Sequence, residues 1–98
     1  MKVRYSPRST RDLATIYQYL FERTPSGCAN VMAAIEVAIE HIRYAPQAAE
    51  RTGFPGIRAK TVQRYNFKIF YRVLEDDGTI EIVHVRHTSR RPWSERAN

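Results

Sequence analysis

Behind a short N-terminal stretch, the apolar residues of this chain change period once. From residue 13 to residue 44 they recur at helical spacing, from residue 59 they alternate as strand residues do, and residues 45–57, with Pro46, Gly53, Pro55 and Gly56, hold no sustained period. A chain patterned in this way has to lay a helical layer on a sheet, because each element buries only one of its faces.

Residues 2–6 read as a short strand, with Val3 and Tyr5 alternating against Lys2 and Arg4, and Pro7 ends it. Ser9, three residues before Asp12, sets up a capping box for a first helix. Leu13, Ile16, Tyr17, Leu20 and Phe21 then put five large apolar groups on one helical stripe reaching Arg23. Thr24-Pro25-Ser26-Gly27 is a turn in which Ser26 caps a second helix. Its stripe is Cys28, Met32, Ile35, Ile39 and Ile42, among small residues that permit close packing, and Pro46 ends it near Tyr44. So short a turn predicts an antiparallel helical hairpin.

Residues 59–64 and 67–75 follow as strands. In the second, Phe67, Ile69, Tyr71 and Val73 share one face, and Lys68, Phe70, Arg72 and Leu74 the other. Asp76-Asp77-Gly78 makes a hairpin turn into a β-branched strand over residues 79–87. The expected fold class is α+β: an N-terminal strand, an antiparallel helical hairpin, then three antiparallel strands in one twisted sheet. Residues 1–98 are expected to form a single domain, with a polar, basic tail after about residue 88. The helices cover one sheet face, so the other must meet solvent or a partner, and function is expected there.

Charge sharpens that expectation. Sixteen Lys and Arg against ten Asp and Glu leave a net +6, and no acidic residue interrupts the run that contains Arg51, Arg58, Lys60, Arg64, Lys68 and Arg72. Arg86, Arg90, Arg91 and Arg96 continue it, with Tyr65, Phe67, Tyr71 and Trp93 interleaved. A basic face of this kind suits phosphate or an acidic peptide. The lone Cys28 excludes an internal disulfide and reads as a reduced core thiol. The start of the chain lacks an apolar signal core and no stretch is long enough to span a bilayer, so a soluble, cytoplasmic protein is expected.

His84 and His87 lie three residues apart on a strand, hence on opposite faces, and cannot easily share a metal ion. His87, beside Arg86, Arg90 and Arg91, is the better functional candidate. No phosphate-binding glycine loop and no nucleophile triad spacing occur, so neither a cofactor nor a metal is expected. An enzyme built on this chain would have to work with Lys, Arg, His or Tyr alone. RNA cleavage through the 2′-hydroxyl is one reaction that fits, since cations can stabilise the developing phosphate charge.

Taken together, Arg11-Asp12-Leu13 behind a basic strand, Gly56-Ile57-Arg58, the block Tyr65-Asn66-Phe67-Lys68-Ile69-Phe70-Tyr71-Arg72-Val73 and the ending Val85-Arg86-His87-Thr88-Ser89-Arg90 resemble the RelE/ParE toxin superfamily of bacterial toxin–antitoxin modules. The resemblance runs from about residue 2 to residue 93. It implies a growth-inhibiting toxin held inactive by a cognate antitoxin with an acidic, partly disordered C-terminal segment, in a toxin–antitoxin hetero-oligomer. RelE-like members cleave mRNA on the ribosome, whereas ParE-like members poison DNA gyrase. By this resemblance Lys68 and Arg90 match basic catalytic positions of the nuclease branch, with Lys60 or His87 available for proton transfer. The C-terminal tyrosine of some nucleases has no counterpart, because Trp93 and Ser94 stand in that region. The ending is closer to the ParE branch, so the expected activity is gyrase poisoning, with Arg58, Arg64, Arg72, Arg86, Arg91 and Trp93 binding target or antitoxin; ribosome-dependent mRNA cleavage is the alternative.

Overall fold

In the computed structural model, which describes residues 1–88, Ser6 rather than Ser9 starts the first helix. The Ser6 hydroxyl oxygen accepts the Ser9 N–H at 3.0 Å, and Pro7 takes the first helical position, where a missing N–H costs nothing. Ser9 itself is fully buried and donates its hydroxyl to the Ser6 carbonyl. The second helix repeats the device. Thr24, not Ser26, is the cap, Pro25 follows it, and the Gly27 N–H donates to the Thr24 hydroxyl at 3.2 Å. A Cβ at Gly27 would come within 2.8 Å of that hydroxyl, so the cap needs glycine there. In both places a proline that reads as a breaker is the first residue of the helix.

The elements run β1 (Lys2–Tyr5), α1 (Pro7–Arg23), α2 (Pro25–Tyr44), β2 (Glu50–Arg51), β3 (Arg58–Val62), β4 (Phe67–Leu74), a 3-10 turn (Glu75–Asp77) and β5 (Thr79–His87). The sheet order is β1-β5-β4-β3-β2, with β1 parallel to β5 and the remaining pairs antiparallel. Helical hairpin and sheet form the expected α+β arrangement. The two-residue β2 lies inside the stretch that reads as loop, being too short to show a period.

The main core lies between α2 and the sheet. Val31, Ile35, Ala38, Ile39 and Ile42 meet Val62, Phe67, Ile69, Tyr71, Ile80, Ile82 and Val85. Each such large side chain contributes roughly 1.5–3 kcal/mol on leaving water. Met32, expected on this stripe, is only half-buried, and Val31 and Ala38 take the inner positions. Helix α1 contributes Leu13, Ile16 and Leu20, but Tyr17 and Phe21 of the expected five stay 49% and 50% exposed. Tyr71 is completely buried and its hydroxyl donates to the Pro46 carbonyl at 2.6 Å. Burial raises its pKa, against the lowering effect of the Arg58 charge.

The sheet is irregular at one point. Phe70 pairs with His84 but Tyr71 pairs with Ile82, so Val83 is an extra residue in β5. It joins Ile57, Ala59 and Phe70 in a second, smaller apolar cluster, with Phe54 packed against it. Strand β1 pairs with β5 only as far as Ile82. Beyond that point α1 covers the β5 edge. The Ser6 hydroxyl donates to the Val83 carbonyl at 3.1 Å, and Asp12 Oδ2 accepts the Val85 N–H at 3.0 Å.

Candidate functional site

Directly opposed residues of paired strands share a face, so the register assigns every strand cation to a side of the sheet. Arg58 opposes Tyr71 and Lys60 opposes Ile69, on the face that carries the main core. His87 opposes Phe67 on that same face. Lys68 opposes Thr61 on one side and Arg86 on the other, on the far face, which it shares with Phe70, Arg72 and His84. The expected site residues are therefore divided. Lys68, Arg72 and Arg86 come together, whereas Arg58, Lys60 and His87 face the other way. Arg64 sits at the β3–β4 turn between the faces, with a backbone φ of 78°. Arg90, Arg91 and Trp93 lie outside the described residues.

On the far face the cations are held by two glutamates. Glu81 is clasped by Arg72 at 3.2 Å and Arg4 at 3.5 Å, joining three strands, and Lys68 Nζ lies 3.8 Å from Glu50. The Glu50 side chain is 71% exposed, so its pair with Lys68 is worth little and gives way to a competing anion. Arg86 places its guanidinium 5.7 Å from the Phe70 ring centre and donates to the His87 carbonyl at 3.0 Å. His84 stacks on the same ring at 5.6 Å. The result is a layered patch of imidazole, phenyl and guanidinium flanked by Lys68.

Asp12 fixes that patch to α1. Its Oδ2 accepts from His84 Nδ1 at 2.7 Å as well as from the Val85 N–H, while Oδ1 lies 3.8 Å from Arg8. An ionised carboxylate can only accept, so the proton sits on Nδ1. Asp12 reads in the sequence as a capping residue. No local spacing could have shown a contact across 72 residues. Glu50 and Glu81, the counter-charges, are likewise invisible until strands pair.

On the core-side face Arg58 donates to the Ala49 carbonyl and to Gln47 Oε1, both at 2.8 Å, which pins its guanidinium to the loop after α2. It borders a cleft of about 410 Å³, also lined by Arg51, Thr52, Phe54, Tyr71, Val73 and Glu75. His87 meets Phe67 edge-on at 5.1 Å. Among the described residues no three His, Cys, Asp or Glu side chains cluster as metal ligands, and no helix is long and apolar enough to cross a membrane.

On the helical hairpin, Tyr17 and Phe21 stack at 5.6 Å in plain view of solvent, and Arg23 lies 3.7 Å from the ring centre of exposed Tyr19. The far face can hold anions; the hairpin offers aromatic surface to an apolar partner.

A family model described as "ParE toxin of type II toxin-antitoxin system, parDE" matches residues 3–92. No curated protein matches the chain in sequence. Among solved structures the fold is similar to that of the chromosomal ParDE toxin–antitoxin system of P. aeruginosa, at 23% identity and a TM-score of 0.77, covering 91% of this chain and 97% of that one. It is also similar to a chain of the intact E. coli RelBE complex, at 12% identity and a TM-score of 0.67, covering 91% and 98%. The YoeB/ParE toxin of Agrobacterium tumefaciens matches at 17% identity and a TM-score of 0.64, covering 89% and 98%.

Proposed function

The chain belongs to the ParE toxin family of type II toxin–antitoxin systems, and on that footing we propose that it arrests growth by poisoning DNA gyrase until its antitoxin neutralises it. The observation that carries the choice of target is the neighbourhood of Lys68. Cleaving RNA without a metal takes several cations and a proton carrier converging on one phosphate. The β3 residues on Lys68's face are Ala59 and Thr61, which are neutral, while Lys60 and His87 lie on the opposite face. Among the described residues Arg86 directly opposes Lys68, a pair suited to gripping an anion, and the imidazole on that face, His84, is held by Asp12 at its Nδ1 and stacked on Phe70.

The antitoxin of this proposal carries an acidic, amphipathic segment. Its apolar side covers Tyr17 and Phe21 on the hairpin, and its acidic side answers the net +6. Toxin and antitoxin form a hetero-oligomer in the cytoplasm.

Purified protein added to gyrase should inhibit supercoiling and trap cleaved DNA. The second reading, a ribosome-dependent endoribonuclease gripping phosphate with Lys68 and Arg90, draws on the direct opposition of Lys68 and Arg86. Primer extension on mRNA from arrested cells separates the two. Cuts at codon positions with gyrase untouched would replace the first reading with the second.

A further inference from the structure

Three connections of the sheet carry residues at positive φ, and they meet the need differently; the one into β3 uses Gly56 at φ 75°. The turn into β5 uses Gly78 at φ 61°, with open space where a Cβ would stand. The β3–β4 turn, residues 63–66, uses Arg64 at φ 78° and Asn66 at φ 57°. Asparagine enters the left-handed region readily, whereas arginine does so at a steric cost.

This turn is tied down. The Thr88 N–H donates to the Asn66 carbonyl at 2.7 Å, and Tyr65 packs against the main core. Arg64 between them is exposed, and no side chain among the described residues pairs with its guanidinium. A strained non-glycine residue persists where the surrounding structure imposes the strain, and such residues cluster at functional sites.

Charge along the sheet gives the side chain a use. Lys60, Lys68 and Arg86 occupy the strand positions nearest this turn, with Glu50 the one acid among them, while Glu75, Asp76 and Asp77 crowd the opposite end. Cations repeated over one end of a sheet suit a polyanion better than a single carboxylate. We propose that Arg64, held by its left-handed backbone at the tip of the β3–β4 hairpin, contacts phosphate oxygens of nucleic acid in the toxin's target complex. The inference rests on the chain being a toxin, but not on which target it poisons, since gyrase-bound DNA and ribosomal RNA present the same phosphate.

The test uses the full chain carrying Arg64→Gly, Arg64→Asn or Arg64→Lys. Relief of the backbone should raise Tm by about 2–5 °C in the glycine and asparagine variants, and not in the lysine variant. Growth arrest on induction should weaken at least roughly tenfold for glycine and asparagine, with lysine retaining most of it, as expected for loss of a charge-assisted contact. Binding to a labelled 20-base-pair DNA duplex and to a 20-nucleotide single-stranded RNA, followed over a salt series, should lose about one unit of log–log slope in Arg64→Gly on whichever nucleic acid it contacts. Affinity for the antitoxin should stay within about twofold of the parent, the spread of a non-contact surface change. Full toxicity in Arg64→Gly, a lowered Tm, an unchanged slope on both nucleic acids, or weakened antitoxin binding would each overturn the proposal. Because toxicity is read as growth arrest, a failure of the gyrase reading would leave this result standing.

Discussion

Both faces of the sheet carry cations, more of them on the far face, and the two have opposite roles. On the core-side face Arg58 is tied to Ala49 and Gln47, while Lys60 and His87 border a layer of Ile, Val, Phe and a buried Tyr. On the far face Lys68, Arg72 and Arg86 surround a small apolar island, Lys68 pairing with the exposed Glu50 and Arg72 with the largely covered Glu81. The difference teaches where stability and function separate. Substitutions on the first face should unfold the chain, and substitutions on the second should spare the fold while removing toxicity.

The largest expected effect would come from the first face. Ile69→Ala, at a residue with no exposed surface between β3 and β5, should destabilise the protein by about 3–4 kcal/mol in denaturant unfolding. A loss under about 1 kcal/mol would mean that the layer is looser than the register implies. Asp12→Ala comes next. It leaves the Val85 N–H and His84 without their acceptor, so unfolding should show a loss of about 2–3 kcal/mol, recovered only in part by Asp12→Asn.

Tyr71→Phe removes the hydroxyl bond to Pro46 and should cost about 1 kcal/mol at neutral pH. It also has a signature in alkali. Burial raises the Tyr71 pKa, so the folded state favours the protonated phenol, and the stability this brings is present below the unfolded value near 10 and lost as pH rises through the raised folded value. Tyr5, also raised by burial, adds to the same loss. Stability of the parent should therefore fall more steeply above pH ~10 than that of Tyr71→Phe. Equal slopes would show that Tyr71 does not set the alkaline limit of stability.

The smallest change in stability would mark the far face. Lys68→Ala should shift unfolding by less than about 0.5 kcal/mol, as for an exposed pair, and combined with Arg90→Ala it should abolish growth arrest and leave antitoxin binding largely intact. Unfolding of that variant would show that the two faces are not separable.

Much of this division was legible in the sequence. Alternation in β4 alone sets Lys68 and Arg72 against Ile69 and Tyr71, and the odd spacing of His84 and His87 sets them apart. The helices followed from period and the hairpin from a short turn. What stayed hidden depended on pairing or on double meanings. A proline after Ser6 or Thr24 reads equally as a stop and as a first helical residue. The side taken by Lys60 follows only once Val62 is known to oppose Phe67 across a four-residue turn. The extra Val83, which builds the far-face island, and the tie from Asp12 to His84 are products of tertiary contact, and no local pattern encodes them.

The central claim is that the far face grips an anion without cleaving RNA. A gyrase supercoiling assay with the purified chain tests it most directly. Loss of supercoiling with accumulation of cleaved DNA is expected, both reversed by the antitoxin and both absent in the Lys68 and Arg90 double variant. Undisturbed supercoiling at toxin concentrations that halt growth, with mRNA cut at codon positions, would contradict it.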